Sequence, residues 1–447
     1  MTSLAAARLQ MTVSLAFHMV FAAVGIGLPL LVVIAEGLHL RTGQKHYLSL
    51  TRRWAKVMGL LFAVGAVSGT VLSFELGLLW PRYMELLGPV VGHIFGLEGY
   101  AFFLEAIFIG LYLYGWNRLH PVAHWWCGVV IAISGMLSGV FVLGVNAWMQ
   151  VPVGFELAGG RVAVSDPIAI FKHPLWAYMA WHSTLACYLA VAFGVAGWYA
   201  WRLLDNSRLR GKKADTYERS AIMIAMAIGG TCALLQPLSG DSLAKYVFQT
   251  QPVKFAAMEG QFQTQRYAPL RIGGWPDEDA GMTRFAIEIP GGLSFLATRD
   301  PAAEVPGLDQ VAKSDRPNVG LTHLAFQVMV ASGVALALVA IWFWLAYARA
   351  GSAVFDHRTL LWALAVAGPV GFVGLEAGWF VTEAGRQPWI IHGVMRTRDA
   401  VTPEAGVAPL FFAFSALYFL LAVTVVVLLR QLAARPIDDT TSAEHGA

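Results

Sequence analysis

Nine stretches of this chain run for about 18 residues or more with almost no charge, the length an α-helix needs to cross the hydrocarbon of a bilayer. They lie near 9–37, 55–79, 93–116, 125–148, 175–201, 219–238, 321–346, 359–384 and 408–429. In lipid only helices and closed barrels satisfy their own backbone polar groups, and unbroken apolar runs of this length specify helices. The expected fold class is therefore all-α, a polytopic membrane helix bundle. Composition agrees, with 57% hydrophobic and 13% charged residues and a mean hydropathy of +0.59, outside the range of soluble globular chains. The first run is too long for a signal-peptide core and lacks a small-residue cleavage site, so it reads as retained. A formal net charge of +3 is too small to suggest a nucleic-acid partner.

Nine spans put the termini on opposite sides, and basic residues in the short loops set the direction. One set of short segments holds sixteen Lys and Arg and the other seven, with the remaining eight of the 31 in 239–320. The amino terminus is expected outside and the carboxyl terminus inside, which makes 239–320 an external loop within a single membrane domain over 1–447. That loop is rich in Gly, Pro, Asp and Gln, as in RIGGWPDEDAGMTR at 271–284, and a loop so long in a compact protein is more often functional than a passive link. The tail PIDDTTSAEHGA reads as a disordered end. Cys127, Cys187 and Cys232 sit in apolar runs without C-x-x-C or metal spacing, which argues against disulfides, zinc and covalently attached haem.

Ionisable side chains in hydrocarbon cost about 2.5–3.5 kcal/mol each on insertion scales and mark functional interiors. At about 1.5 Å per residue, His18 lies roughly 15 Å and Glu376 roughly 13 Å in from the outer ends of their spans, and His182 and Met329 roughly 10 Å in. Glu98 and Glu105 are seven apart, so they stack along one helix face two turns apart, as do Glu376 and Glu383. Such a pair suits a proton relay, and it also suits plain interhelical hydrogen bonding. Histidine and methionine at equal depth on different helices could clamp one iron. Taken alone, a membrane histidine is more often a hydrogen-bond partner and a methionine more often packing.

Several separate stretches change that balance. GRQPW (385–389) after EAGWF (376–380), EGYAFFLE (98–105), NAWMQ (146–150) and KFAAME (254–259) together resemble subunit I of cytochrome bd quinol oxidases. The resemblance runs from about residue 8 to residue 430 and includes the long loop after the sixth span. It implies a haem-containing quinol:oxygen oxidoreductase, a multi-pass protein of a bacterial cytoplasmic membrane that builds proton motive force without pumping. His18 and Glu376 match ligands of two high-spin haem irons, and His182 and Met329 match the axial pair of a low-spin haem b. Glu98 and Glu105 match carboxylates on a proton path, and Lys254 and Glu259 match loop residues implicated in quinol oxidation. Arg386 is placed to pair with haem propionates, with Trp389 shaping that edge.

The implied cofactors are two haem b and one haem d, or a third haem b in place of haem d, since no residue here separates the two macrocycles. The implied partners are quinol, O2, lipid and a subunit II-like membrane protein, with room for a small single-span subunit. Gln327 departs from the arginine that some members carry two residues before the methionine, and the external loop lacks the insertion of the family's long-loop subgroup, so the chain resembles the short-loop members, which include cyanide-insensitive oxidases. Lys254 and Glu259, five apart, lie about 140° around a helix and should not pair directly. Two other readings compete: a haem b quinol-dependent electron carrier without O2 reduction, and a proton-coupled transporter, which would bind no chromophore.

Overall fold

The computed structural model describes residues 2–158, 161–205, 212–404 and 406–434. The tail 436–447 and the basic residues Arg208, Arg210 and Arg435 of the loop count lie outside the described residues. In chain order the helices are α1 (Ser3–Thr42), α2 (Lys45–Leu79), α3 (Pro81–Tyr114), α4 (Pro121–Gln150), α5 (Ala169–Lys172), α6 (Pro174–Leu204), α7 (Lys212–Thr250), α8 (Pro252–Glu259), α9 (Gly292–Thr298), α10 (Val319–Ala350), α11 (Arg358–Ala384), α12 (Thr397–Ala400) and α13 (Val407–Ala434). Among the described residues nine are long and apolar enough to cross a membrane, namely α1 to α4, α6, α7, α10, α11 and α13.

The chain states where these helices begin and end. Proline opens α3, α4, α6 and α8, where its missing N–H is one the helix would leave unpaired anyway. Thr2 and Asn318 cap α1 and α10 by accepting from Ala5 N and Leu321 N. Gly43 ends α1 at φ 70°, a left-handed conformation that suits glycine.

The spans form two groups of four. α1, α2, α3 and α4 pack around one another, as do α6, α7, α10 and α11; α1 and α4 join the groups through α6, and α13 lies against α1 and α2. The α6 to α11 crossing is close because it is made of small residues. A Cβ on Gly197 would stand 2.8 Å from Gly368 Cα, and one on Gly371 2.6 Å from Ala190 Cα. The ends are pinned by polar contacts. Trp54 Nε1 donates to Tyr199 Oη at 3.0 Å near one end of the bundle, and Thr402 N donates to Leu79 O at 2.9 Å at the other. The second of these is the end that carries the long α7 to α10 connection, hereafter the loop end.

Two boundaries differ from the sequence expectation. The sixth span was bounded at 238 by polar residues, yet α7 continues through Pro237 to Thr250, its extension braced by Lys245 Nζ on Asp241. The third helix likewise starts at Pro81, twelve residues before the apolar run. Apolar length reports membrane thickness, whereas a helix runs on until a cap stops it. The loop itself is folded, with α8, α9 and antiparallel ladders pairing 265–266 with 304–305, 270–272 with 287–289 and 275–277 with 282–284.

Candidate functional site

Two histidines on different helices share one local arrangement. His18 of α1 has Nδ1 2.9 Å from Ser68 Oγ of α2, and that hydroxyl donates its own proton to Gly65 O. His182 of α6 has Nδ1 2.9 Å from Ser239 Oγ of α7, and that hydroxyl donates to Gln236 O. A serine whose proton is committed can only accept, so Nδ1 carries the hydrogen in both rings and Nε2 is left as a lone-pair donor. This is the tautomer a metal-ligating histidine needs, fixed from behind by a neighbour. The Gln236 amide also comes within 3.3 Å of both ring nitrogens of His182. In each case the next residue is glycine, and a Cβ there would come within 3.1 Å (Gly69) or 3.3 Å (Gly240) of the imidazole Cε1. The Ser-Gly pairs at 68–69 and 239–240 are the sequence signal for these two sites.

Met329 of α10 faces α11, where a Cβ on Gly378 would stand 3.0 Å from its Sδ. His182 faces α7, so both belong to the second four-helix group. Glu376, two residues before Gly378, has both carboxylate oxygens shielded and without a hydrogen-bond partner. Its neighbour Leu375 packs with Ala23 and Cys187, and Met19 beside His18 joins that cluster, so α11 brings Glu376 to the seam with α1. Glu105 of α3 is buried, with Oε1 unpartnered. A Cβ on Gly135 of α4 would meet that oxygen at 3.1 Å and one on Gly25 of α1 at 3.8 Å. Glu98, two turns away on α3, is half-buried.

At the loop end the ends of α4 and α11 converge with α8. Glu383 accepts from Asn146 Nδ2 at 2.6 Å and from Arg386 Nη2 at 2.5 Å. Lys254 Nζ donates to Gln150 Oε1 at 3.2 Å and to Thr382 O at 3.3 Å. Burial draws the Lys254 ammonium down to about 7, with the Arg386 charge adding to the shift and Glu383 opposing it. Arg386 is 3% exposed and its Nε and Nη1 have no partner, so a buried guanidinium presents two free donors. Glu259 closes α8 with Oε2 unpartnered, and burial lifts its carboxyl to about 7 against the pull of Arg271. Lys254 and Glu259 have different neighbours, as their spacing implied.

Trp389 lies under Arg396, whose guanidinium carbon is 4.9 Å from the ring centroid, and Arg396 bonds Asp315 at 2.6 Å. Gln327, at the departure from arginine, spans to the loop instead: it accepts from Gly273 N at 3.0 Å and donates to Arg271 O at 3.1 Å. Asn146, Gln150 and Glu383 join the sequence-derived candidates here through contacts between distant segments.

These residues fit haem by their chemistry. Two imidazoles, a thioether and a carboxylate with no other partner are iron donors, and free guanidinium donors match a propionate. A multi-pass helix bundle with such an interior is a membrane oxidoreductase of the haem-binding kind. Residues 6–437 match the family model of cytochrome bd terminal oxidase subunit I. The chain is 34% identical to a putative cytochrome bd menaquinol oxidase subunit I of Bacillus subtilis (strain 168), over 99% of this chain and 100% of that one. It is 30% identical to the cytochrome bd-II ubiquinol oxidase subunit 1 of Escherichia coli (strain K12), over 88% of each. The solved bd oxidase from Geobacillus thermodenitrificans superposes with a TM-score of 0.89 at 34% identity, covering 96% of this chain and 98% of that one. The chain belongs to the cytochrome bd terminal oxidase subunit I family and is a quinol oxidase subunit of the respiratory chain.

Proposed function

We propose that this chain, in a bacterial cytoplasmic membrane beside a subunit II-like partner, oxidises quinol at the loop end and reduces O2 to water within the bundle. The excess of basic residues in the short segments opposite the loop supports placing the loop outside, the amino terminus with it and the carboxyl terminus inside. Haem, as two haem b with one haem d or a third haem b, supplies the electron-carrying and oxygen-binding iron when bound. His182 and Met329 would hold the low-spin group, and His18 and Glu376 the two high-spin groups.

The observation that carries this reading is the pair of serine-fixed histidines together with the unpartnered carboxylate of Glu376. Lys254 and Glu259 bind quinol and take up its protons at the outer surface. Glu98 and Glu105 pass protons from the inside to the oxygen-reducing site, so charge separates without a pump. Arg386, whose Nε and Nη1 have no partner, would hold propionates, and Trp389 fixes the segment that follows it. The test is a reduced-minus-oxidised absorption spectrum of the purified complex alongside quinol-driven oxygen uptake. Low-spin and high-spin bands with oxygen uptake are expected; absence of haem bands, or bands without oxygen uptake, would overturn the reading.

A further inference from the structure

A second buried carboxylate lies on the loop side of His18, in a place that neither quinol binding nor the carboxylates of α3 use. Gln10, Ser14 and His18 recur every four residues along one face of α1. Ser68 and Glu75 stand seven residues apart on the facing side of α2, two turns from each other. The two rows meet: Glu75 Oε1 accepts from Ser14 Oγ at 2.8 Å and from Gln10 Nε2 at 3.1 Å, while Ser68 holds His18 at 2.9 Å. A polar seam therefore runs between α1 and α2 from the His18 ring toward the loop end.

α13 closes the seam. Tyr418 faces Ser14 and Glu75, and the Phe17 ring lies 4.8 Å from both Tyr418 and Phe21. Glu75 is 0% exposed, Gln10 2% and Tyr418 3%. Three of their polar atoms, Glu75 Oε2, Gln10 Oε1 and the Tyr418 hydroxyl, have no hydrogen-bond partner. Three helices thus enclose three unpartnered polar atoms, the surroundings in which a buried water is normally held. The groups facing Glu75 are Gln10 and Ser14 from α1, with His18 one turn beyond Ser14, and Tyr418 from α13. Of the first titratable residues of α3, Arg82 is exposed and Tyr83 donates to Met149, while Tyr217 of α7 is linked to Trp54 of α2 through Tyr199 of α6, at the far end.

Among the described residues no side-chain cation pairs with Glu75, and an ionised carboxylate buried without a counter-charge is costly. The positive charge within reach along the seam is the one an iron would carry at His18. We propose that Glu75 is a proton-holding residue linked to the redox state of the His18 centre, with a water held between Gln10, Glu75 and Tyr418 as its proton connection. This rests on His18 being an iron ligand. When an electron from quinol would lower the charge at that centre by one, a proton from bulk solvent would pass through the held water, which is left as water, to Glu75 Oε2, and the carboxylate would become a carboxyl; on reoxidation by O2 the proton would leave by the same route. Linkage requires the converse, that protonation of Glu75 favours the reduced centre.

The experiment compares Glu75→Gln, Glu75→Asp and Tyr418→Phe with the parent complex by redox titration at several pH values and by redox-difference infrared spectroscopy. In the parent, the high-spin midpoint should fall as pH rises, and a carboxyl C=O band that shifts in deuterated buffer should appear on reduction. Glu75→Gln keeps the size and most hydrogen bonds, so a purely structural Glu75 would leave both signals in place. The inference expects loss of the band and a flattened midpoint-against-pH line in Glu75→Gln, a retained slope with a band present but shifted in Glu75→Asp, and a shifted band in Tyr418→Phe. An unchanged band and slope in Glu75→Gln would overturn it. If that variant does not assemble, a band unmoved in both Glu75→Asp and Tyr418→Phe would do so. Loss of the His18 assignment would show separately, as both high-spin bands kept at parental intensity in His18→Ala.

Discussion

Two buried polar clusters at opposite ends of the bundle separate residues that hold the protein together from residues that await something else. Away from the loop, Glu36 accepts from the Tyr112 hydroxyl through Oε2 and lies 2.7 Å from His124 Nδ1 through Oε1, while His124 Nε2 is 2.9 Å from Tyr112 O. Each of those side-chain polar atoms has a partner inside the cluster. At the loop end, Arg386 and Glu259 are just as buried but keep unpartnered atoms, as do Glu376 and Glu75 deeper in. A closed network fixes three helices relative to one another, since removing any member strands the rest. An open one is retained against a desolvation cost of roughly 1–3 kcal/mol per stranded group, which a bound group or water would offset. The difference lies in which atoms remain free, not in burial.

The largest effect should come from the open side. His182→Ala should abolish the low-spin haem signal while the high-spin bands stay largely intact, because only one of the proposed sites loses a ligand. The check is the difference spectrum of a variant shown to assemble by gel filtration. A persistent low-spin band would return His182 to the class of ordinary interhelical hydrogen-bond partners and blur the line drawn here between open and closed clusters.

The closed cluster should respond in a different currency. Glu36→Leu removes both acceptor oxygens and strands the Tyr112 hydroxyl and His124 Nδ1, so we expect a loss of about 1–3 kcal/mol, read as a lower temperature of irreversible inactivation in detergent. Haem spectra and midpoints should not move. A shifted midpoint with unchanged thermal inactivation would place Glu36 among the functional carboxylates.

The sequence disclosed these two clusters unequally. The spans were legible because apolar length is a local property, and His18, His182, Met329, Glu376 and Arg386 stood out because such groups are rare in hydrocarbon or sit in family-like motifs. Their partners were not legible. Ser68 and Ser239 look like any small membrane residues until α1 meets α2 and α6 meets α7, and Ser239 fell beyond the apolar run that bounded the sixth span. Asn146, Gln150 and Thr382 reach Glu383 and Lys254 across more than 100 residues of chain, a convergence no periodicity encodes. Glu75 and Tyr418 were hidden for the same reason: each is a single polar residue within an apolar run, and only the docking of α13 puts them together.

The smallest effect expected is a change in the shape of a pH profile. Burial lifts Glu259 to about 7, so as pH rises through that value the carboxyl loses its proton and becomes able to accept one from a quinol hydroxyl. Quinol oxidation should therefore climb to a plateau above about pH 7 and fall on the acid side. Glu259→Gln cannot accept a proton at any pH, so its rate should be low and flat across the same range. Lys254 is drawn to about 7 from the other direction and becomes a neutral acceptor over the same interval, so the parent profile alone does not say which residue titrates. Lys254→Met separates them, since it removes the amine and leaves the carboxyl. If Glu259 accepts the proton, the acid limb survives in Lys254→Met and is absent from Glu259→Gln, with haem content equal in both. The opposite pattern would move the proton acceptor from the unpartnered Oε2 of Glu259 to the neutral amine of Lys254, whose nitrogen is already bonded to Gln150 and Thr382, and free atoms would then be a poor guide to function at the loop end.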